Sequence, residues 1–86
     1  MKHAAAKSLA GIDSLLREIR ANTALAEKKR GIFYLGAKAF LHFHEDPTGM
    51  YADLKVGAAF RRFRVETKAE QSALLQALRR EYKKAG

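Results

Sequence analysis

Cysteine is absent from this chain of 86 residues, and proline occurs only once. The lack of cysteine excludes disulfides, thiolate zinc sites and cysteine nucleophiles. No segment reaches the roughly 18 apolar residues that a membrane-spanning helix needs. Residues 1–7 also lack the apolar run of a secretory signal peptide. We therefore expect a cytoplasmic protein with no membrane partner.

Acidic residues are scarce relative to basic ones. Nine Asp and Glu residues stand against seventeen Lys and Arg residues, which gives a net charge of +8. A positive field attracts polyanions such as nucleic acid, although a high net charge also serves solubility alone. The remaining composition is that of a globular protein. We expect one domain over residues 1–86, with loose ends at residues 1–7 and 83–86.

Apolar residues recur at helical spacing near both ends of the chain. The pattern predicts a first amphipathic helix over residues 8–21, with Ser8 as its N-cap. A second helix is predicted over residues 67–82. Its first residues, Thr67 to Glu70, have the spacing of a capping box, in which each of these two side chains bonds the backbone amide of the other residue.

Between the two helices the apolar period changes to two, which is typical of strands. The predicted strands are residues 32–35, 39–45, 50–56 and 60–65, and the turns between them are Gly36-Ala37, Asp46-Pro47-Thr48-Gly49 and Gly57-Ala58. We therefore predict an α+β domain. Its four-stranded antiparallel meander is flanked by N- and C-terminal helices, in the order α-β-β-β-β-α.

The turn at residues 46–49 sets the register of the central hairpin, because a four-residue loop fixes which residues face each other. Leu41 then lies opposite Leu54 on an apolar face, and His42 lies opposite Asp53 on the other face. A slip of one residue would mix apolar and charged side chains on both faces. We therefore adopt the register that separates them.

The same counting extends outward from the Gly36-Ala37 turn, where a two-residue loop with glycine first is typical of a type II′ turn. It pairs Ile32 with Leu41 on the apolar face and Phe33 with Phe40 on the other. The second face is then a mixture of aromatic and basic side chains. Its candidate site residues are Phe40, His42, His44, Tyr51, Asp53, Lys55, Arg62 and Arg64, with Phe33 and Phe60 beside them.

No single function follows from this mixed face, because three interpretations fit it. In the first interpretation the mixed face is a binding or interaction surface at which two copies form a homodimer, since a contiguous exposed apolar patch usually marks an interaction site. Alternatively it binds nucleic acid, with bases stacked on aromatic rings and phosphates held by Lys55 and the arginines. In the third interpretation the first helix covers the face, and its aromatic residues are core.

A metal site is the weakest candidate on the same face. His42 and His44 place two imidazoles on one side of a strand, with Asp53 opposite His42, and two histidines with one carboxylate form a known metal-binding set. The alternative is a His42–Asp53 pair that orients the imidazole, with His44 packed on Tyr51. Neither a nucleophile elbow nor a glycine-rich loop opening a helix is present, so we expect no enzymatic activity and no cofactor.

Part of the chain resembles small bacterial domains of the MmcQ/YjbR type. The similar features are a helix, a loop ending in Glu27, the segment Phe33-Tyr34-Leu35-Gly36-Ala37-Lys38-Ala39-Phe40, and a hairpin leading to Ala52-Asp53-Leu54-Lys55. The resemblance covers about a third of the chain. Members of this group are often labelled DNA-binding by fold analogy, so the resemblance implies a DNA-binding domain but assigns no residue a role.

Overall fold

Two helices and an antiparallel sheet make up the structure, a computed structural model that describes residues 2–3 and 12–85. The helices are α1 (Asp13–Asn22) and α2 (Lys68–Ala85). The strands are β1 (Lys2–His3), β2 (Ala26–Lys29), β3 (Ile32–Leu35), β4 (Lys38–Asp46), β5 (Gly49–Val56) and β6 (Ala59–Arg64). The α+β class and the order of helix, strands and helix are thereby confirmed.

The main sheet has five strands in the order β2-β3-β4-β5-β6, so the prediction of four strands is wrong. The two-residue β1 also pairs with β4, through Lys2↔Glu45 and His3↔His44. The additional main strand is β2, which no pattern in the sequence predicted. The strand is only four residues long, and its Ala, Glu and Lys residues have low strand propensity. Lysine on an edge strand is typical, because charge discourages pairing with other chains.

The central hairpin has the predicted register. Leu41 pairs with Leu54 and His42 with Asp53, and the pairing continues to Asp46 and Gly49 at the turn. The side chain of Asp46 accepts hydrogen bonds from the amide and the hydroxyl of Thr48, at 2.8 and 2.6 Å, which fixes the turn. Asparagine and aspartate favour turns because their side chains can replace backbone acceptors in this way.

The β3–β4 hairpin departs from the prediction at a β-bulge. Near the turn the pairs are those expected, but Phe33 lies opposite Leu41 rather than Phe40. The extra residue in β4 reverses the face on which the remaining β3 residues lie. Phe33 therefore joins the core at 1% exposure, and Ile32 pairs with His42 on the opposite face.

Both helices cover the same face of the sheet. Their buried residues belong to one core cluster with the sheet residues that alternate with the histidines. The buried helix residues are Leu15, Leu16, Ile19, Leu74, Ala77 and Leu78, with Ile12 directly before α1, and the sheet contributes Phe33, Phe40, Leu41, Phe43, Met50, Ala52 and Leu54. The first helix therefore does not cross to the mixed face, but Phe33 and Phe40, two of the aromatic residues of the third interpretation of that face, are core, whereas Phe60 is exposed.

The helix ends are defined by specific contacts. The predicted capping box opens α2, since the Glu70 amide donates to Thr67 Oγ1 at 3.1 Å and the Thr67 amide donates to Glu70 Oε1 at 3.0 Å. Residues 83–85, expected to be a loose end, belong to α2. Ser8, the predicted cap of the first helix, lies outside the described residues. Neither α1 nor α2 has the length and apolar character needed to span a membrane.

Candidate functional site

The sheet face opposite the helices carries the candidate site, and we call it the open face. Along β4 and β5 its residues alternate with those of the core. It is formed by His42, His44, Tyr51, Asp53, Lys55, Phe60, Arg62 and Arg64, together with Lys28, Ile32 and Tyr34. Seven of the eight predicted site residues therefore share one face, and Phe40 is the exception.

Asp53 is the centre of a polar network on the open face. The Arg62 guanidinium donates two hydrogen bonds to it, from Nε to Oδ1 at 2.8 Å and from Nη2 to Oδ2 at 3.0 Å. This contact is the main reason that the pKa of Asp53 lies below its ordinary value, against the opposing effect of burial. The carboxylate is therefore ionised at neutral pH, although the residue is only 8% exposed.

His44, rather than His42, is the imidazole that contacts Asp53. Its Nε2 lies 2.9 Å from Asp53 Oδ2, although the residue directly opposite Asp53 in the sheet is His42. Side chains at diagonal positions of adjacent strands can meet when they are long enough. The prediction that Asp53 orients His42 directly is thus replaced by a diagonal contact, which pairwise register alone does not reveal.

His42 lies between a histidine and an aromatic ring. Its ring meets that of His44 edge-on at a centroid distance of 4.5 Å, and that of Phe60 at 5.1 Å. Phe60 is 43% exposed, the only exposed large hydrophobic side chain among the described residues. The Lys55 ammonium lies 5.2 Å from the centre of the Phe60 ring, within the range of a cation–π contact.

A second cation–aromatic pair lies toward the other edge of the open face. Lys28 Nζ is 4.6 Å from the centre of the Tyr34 ring. This pair was not predicted from the sequence, because the sequence indicated neither the strand β2 nor the face on which Tyr34 lies. The only signal in the sequence was the basic run Lys28-Lys29-Arg30, which did not show on which face these side chains would lie.

The end of the open face near the α2 N-terminus is tied to neighbouring elements. Arg64 Nη1 lies 3.1 Å from Glu70 Oε2, so this guanidinium is paired with the carboxylate of the capping box. The hydroxyl of Tyr51 lies 2.6 Å from that of Thr48 in the β4–β5 turn. These two predicted site residues are present on the face but are held by contacts within the protein.

Phe40 leaves the predicted site because it occupies the β-bulge. It is 5% exposed and belongs to the core cluster. Together with Leu35 and Lys84 it lines a cleft of about 370 Å³ near the end of α2. The aromatic character of the open face therefore comes from Tyr34, Tyr51 and Phe60 rather than from the expected set of phenylalanines.

The open face offers cations beside aromatic rings, and one group of metal-ligating side chains. His42, His44 and Asp53 each present one ligand atom, and these atoms lie within 4.8 Å of one another. Comparison with known proteins found no matching family model, no similar curated protein and no similar solved structure.

Proposed function

We propose that the open face binds single-stranded nucleic acid. The observation that carries this proposal is the placing of ammonium groups beside aromatic rings, Lys55 beside Phe60 and Lys28 beside Tyr34, on a face that neither helix covers. Unpaired bases stack on aromatic rings, while lysine and arginine meet the phosphates between them.

The charge of the face supports a polyanionic ligand. Asp53 is the acidic residue at its centre, and Arg62 already neutralises it through two hydrogen bonds. Lys28 and Lys55 remain to attract phosphates, and the protein as a whole carries a net charge of +8. A field of this sign raises the rate at which a polyanion associates.

The shape of the face favours single strands over duplex. A duplex is read mainly by elements that enter a groove, such as a helix or a two-stranded ribbon. The open face instead presents side chains from adjacent strands about 4.8 Å apart. Rings displayed in this way contact bases only when those bases are unpaired and turned toward the protein.

Homodimerisation through the open face is the competing function, and the exposed ring of Phe60 is the observation that favours it. A twofold dimer places the same patch of both copies against itself. Here that would bring the Lys55 and Arg62 side chains of one copy toward those of the other. Because like charges in an interface oppose association, we prefer the polyanionic ligand.

Fluorescence anisotropy with labelled oligouridine and oligothymidine, at increasing salt concentration, tests the proposal. The Lys28→Ala/Lys55→Ala variant should bind at least about tenfold more weakly, and its salt dependence should fall by about 1.4 units of slope, because each phosphate contact with a single strand contributes about 0.7. Phe60→Ala should weaken binding about tenfold through lost stacking, since one stacked base contributes about 1–3 kcal/mol.

The matched control is Lys68→Ala/Lys83→Ala, which removes two exposed lysines from α2. It should keep both the affinity and the salt dependence of the original protein. Equal losses in the two double variants would show that binding reflects net charge alone and would overturn the proposal. A dimer seen by sedimentation that Phe60→Ala dissociates, without oligonucleotide binding, would establish the competing function.

A further inference from the structure

Two strands place three metal-ligating side chains together on the open face. His42 and His44 are two residues apart in β4, so both imidazoles lie on the same side of the strand. Asp53 in β5 lies directly opposite His42. The central hairpin, whose turn and register fix these positions, therefore brings two histidines and one carboxylate into one cluster.

We propose that His42, His44 and Asp53 bind a divalent transition-metal ion, of which Zn²⁺ is the representative case. Their ligand atoms lie within 4.8 Å of one another. Nitrogen and oxygen ligands lie about 2.0–2.2 Å from zinc, so two ligands of one tetrahedral ion are about 3.4 Å apart. Side-chain adjustments that together bring the most distant pair about 1.4 Å closer would reach that spacing.

The contact between His44 and Asp53 already has a spacing suited to metal binding. His44 Nε2 and Asp53 Oδ2 are 2.9 Å apart, about 0.5 Å less than the roughly 3.4 Å that separates neighbouring ligands around a tetrahedral ion with bonds of about 2.1 Å. A metal ion between these two atoms would take the place of their hydrogen bond, with the neutral imidazole of His44 carrying its hydrogen on Nδ1. Both side chains are held in place by burial, at 10% and 11% exposure, so little ordering is needed on binding.

Arg62 supplies the outer contact that ligating carboxylates commonly receive. Its Nε donates to Oδ1, and this bond can persist while Oδ2 faces the ion, because the two oxygens are separate acceptors. The Arg62 Nη2 contact to Oδ2 would then give way. Since the Arg62 side chain is 47% exposed, its outer end can turn toward solvent.

The ligand types determine which ions fit. Imidazole nitrogen suits zinc, cobalt, nickel, copper and iron, whereas calcium and magnesium prefer sites made entirely of oxygen ligands. The cluster supplies two nitrogens and one carboxylate oxygen, so transition metals are expected to bind and calcium is not. Three protein ligands leave at least one coordination position of the ion for water or another small ligand.

Calorimetric titration of the whole protein with Zn²⁺ at neutral pH, without nucleic acid, tests this inference independently of the proposed function. Saturable binding of about one ion per chain is expected. His42→Ala, His44→Ala and Asp53→Asn should each weaken it at least about tenfold, as loss of a ligand requires. Asp13→Asn, which changes an aspartate on α1 in the same way, should bind Zn²⁺ like the original protein.

Visible absorption of added Co²⁺ provides a second readout that a purely structural role of the histidines would not change. Its d–d bands should appear with the original protein and with Asp13→Asn, and should disappear with His42→Ala. No saturable binding, or binding that His42→Ala and His44→Ala leave unchanged, would overturn the inference. If Asp53→Asn fails to fold, the two histidine variants decide the question, with circular dichroism confirming their fold.

Discussion

The two faces of the sheet are built from alternate residues of the same strands, yet they are stabilised in different ways. On the core face, Leu41 and Phe43 pack beneath the two helices. On the open face, His44 and Asp53 are nearly as inaccessible, each 8% exposed, although neither helix covers them. Asp53 there bonds both Arg62 and His44, and the His44 ring meets that of His42. A sheet can therefore order a face with polar contacts as well as with an apolar layer.

The largest expected difference between the two faces is the loss of unfolding free energy when one ring is removed from each, Phe33 from the core face and Phe60 from the open face. Phe33→Ala should cost about 3–5 kcal/mol of unfolding free energy, because it leaves a cavity where a ring is 1% exposed. Phe60→Ala should cost no more than about 1 kcal/mol, since Phe60 is 43% exposed and loses mainly its contacts with His42 and Lys55. Urea denaturation monitored by circular dichroism measures both.

Similar losses in Phe33→Ala and Phe60→Ala would contradict the assignment of the two rings to different faces. A small loss for both would place Phe33 on the open face, where simple counting from the β3–β4 turn had put it. A large loss for both would mean that another element covers Phe60. Phe33→Leu serves as the control, because it keeps most of the buried apolar volume and should cost less than Phe33→Ala.

The sequence was sufficient for the features whose signals are local. The Asp46-Pro47-Thr48-Gly49 turn and the strict alternation around it predicted the central hairpin and its register. The Thr67–Glu70 spacing predicted the start of α2. Each of these depends on residues that are neighbours in the chain, where residue type limits the local geometry.

The features that the sequence did not reveal depend on contacts between distant residues. The bulge at Phe40 places Phe33 on the face that packs against the helices, and no residue type in the sequence marks its position. The strand β2 pairs with β3 at the sheet edge and is also linked to α1 by the contact of Glu27 with Arg20. Asp53 likewise contacts His44, its diagonal neighbour, rather than His42, which lies directly opposite. Which of the two it contacts depends on the length and orientation of the side chains.

Comparing Asp53→Ala with Asp13→Ala tests whether the polar network around Asp53 stabilises the open face. Asp53→Ala should cost about 2–3 kcal/mol, because it removes charged hydrogen bonds from a side chain that is 11% exposed and leaves Arg62 and His44 without them. Asp13→Ala should cost less than about 1 kcal/mol, since its ion pairs with Arg17 and Arg30 are exposed. Denaturant unfolding of the two variants measures the difference.

Equal and small losses of unfolding free energy in Asp53→Ala and Asp13→Ala would mean that the contacts around Asp53 contribute no more than surface ion pairs do. The open face would then have no stabilising network of its own. Asp53→Asn provides the intermediate case. It keeps the shape and one acceptor oxygen while removing the charge, so its loss should lie between that of Asp53→Ala and zero.

Glu27 tests whether a charged contact also secures the edge of the core face. Its carboxylate accepts Arg20 Nε at 2.6 Å and the Gly31 amide at 2.9 Å. The Arg20 contact is the main reason that the pKa of Glu27 lies below its ordinary value of 4.5. Glu27→Gln should therefore cost about 1.5 kcal/mol at neutral pH, the magnitude of hydrogen bonds to a charged group.

The pH dependence of that loss identifies the ionised carboxylate as its cause. A group whose pKa is lowered by folding stabilises the protein fully above its unfolded pKa and loses this effect as the pH falls through its folded pKa. The difference between the original protein and Glu27→Gln should therefore be constant above about pH 5.5 and shrink below pH 4.5. Other carboxylates with lowered pKa values titrate in both proteins, so their effects cancel in the difference.

A stability difference that stays constant down to pH 3 would mean that the loss in Glu27→Gln comes from side-chain shape and not from charge. An equal loss in Arg20→Gln that does not add to that of Glu27→Gln in the double variant would confirm the ion pair.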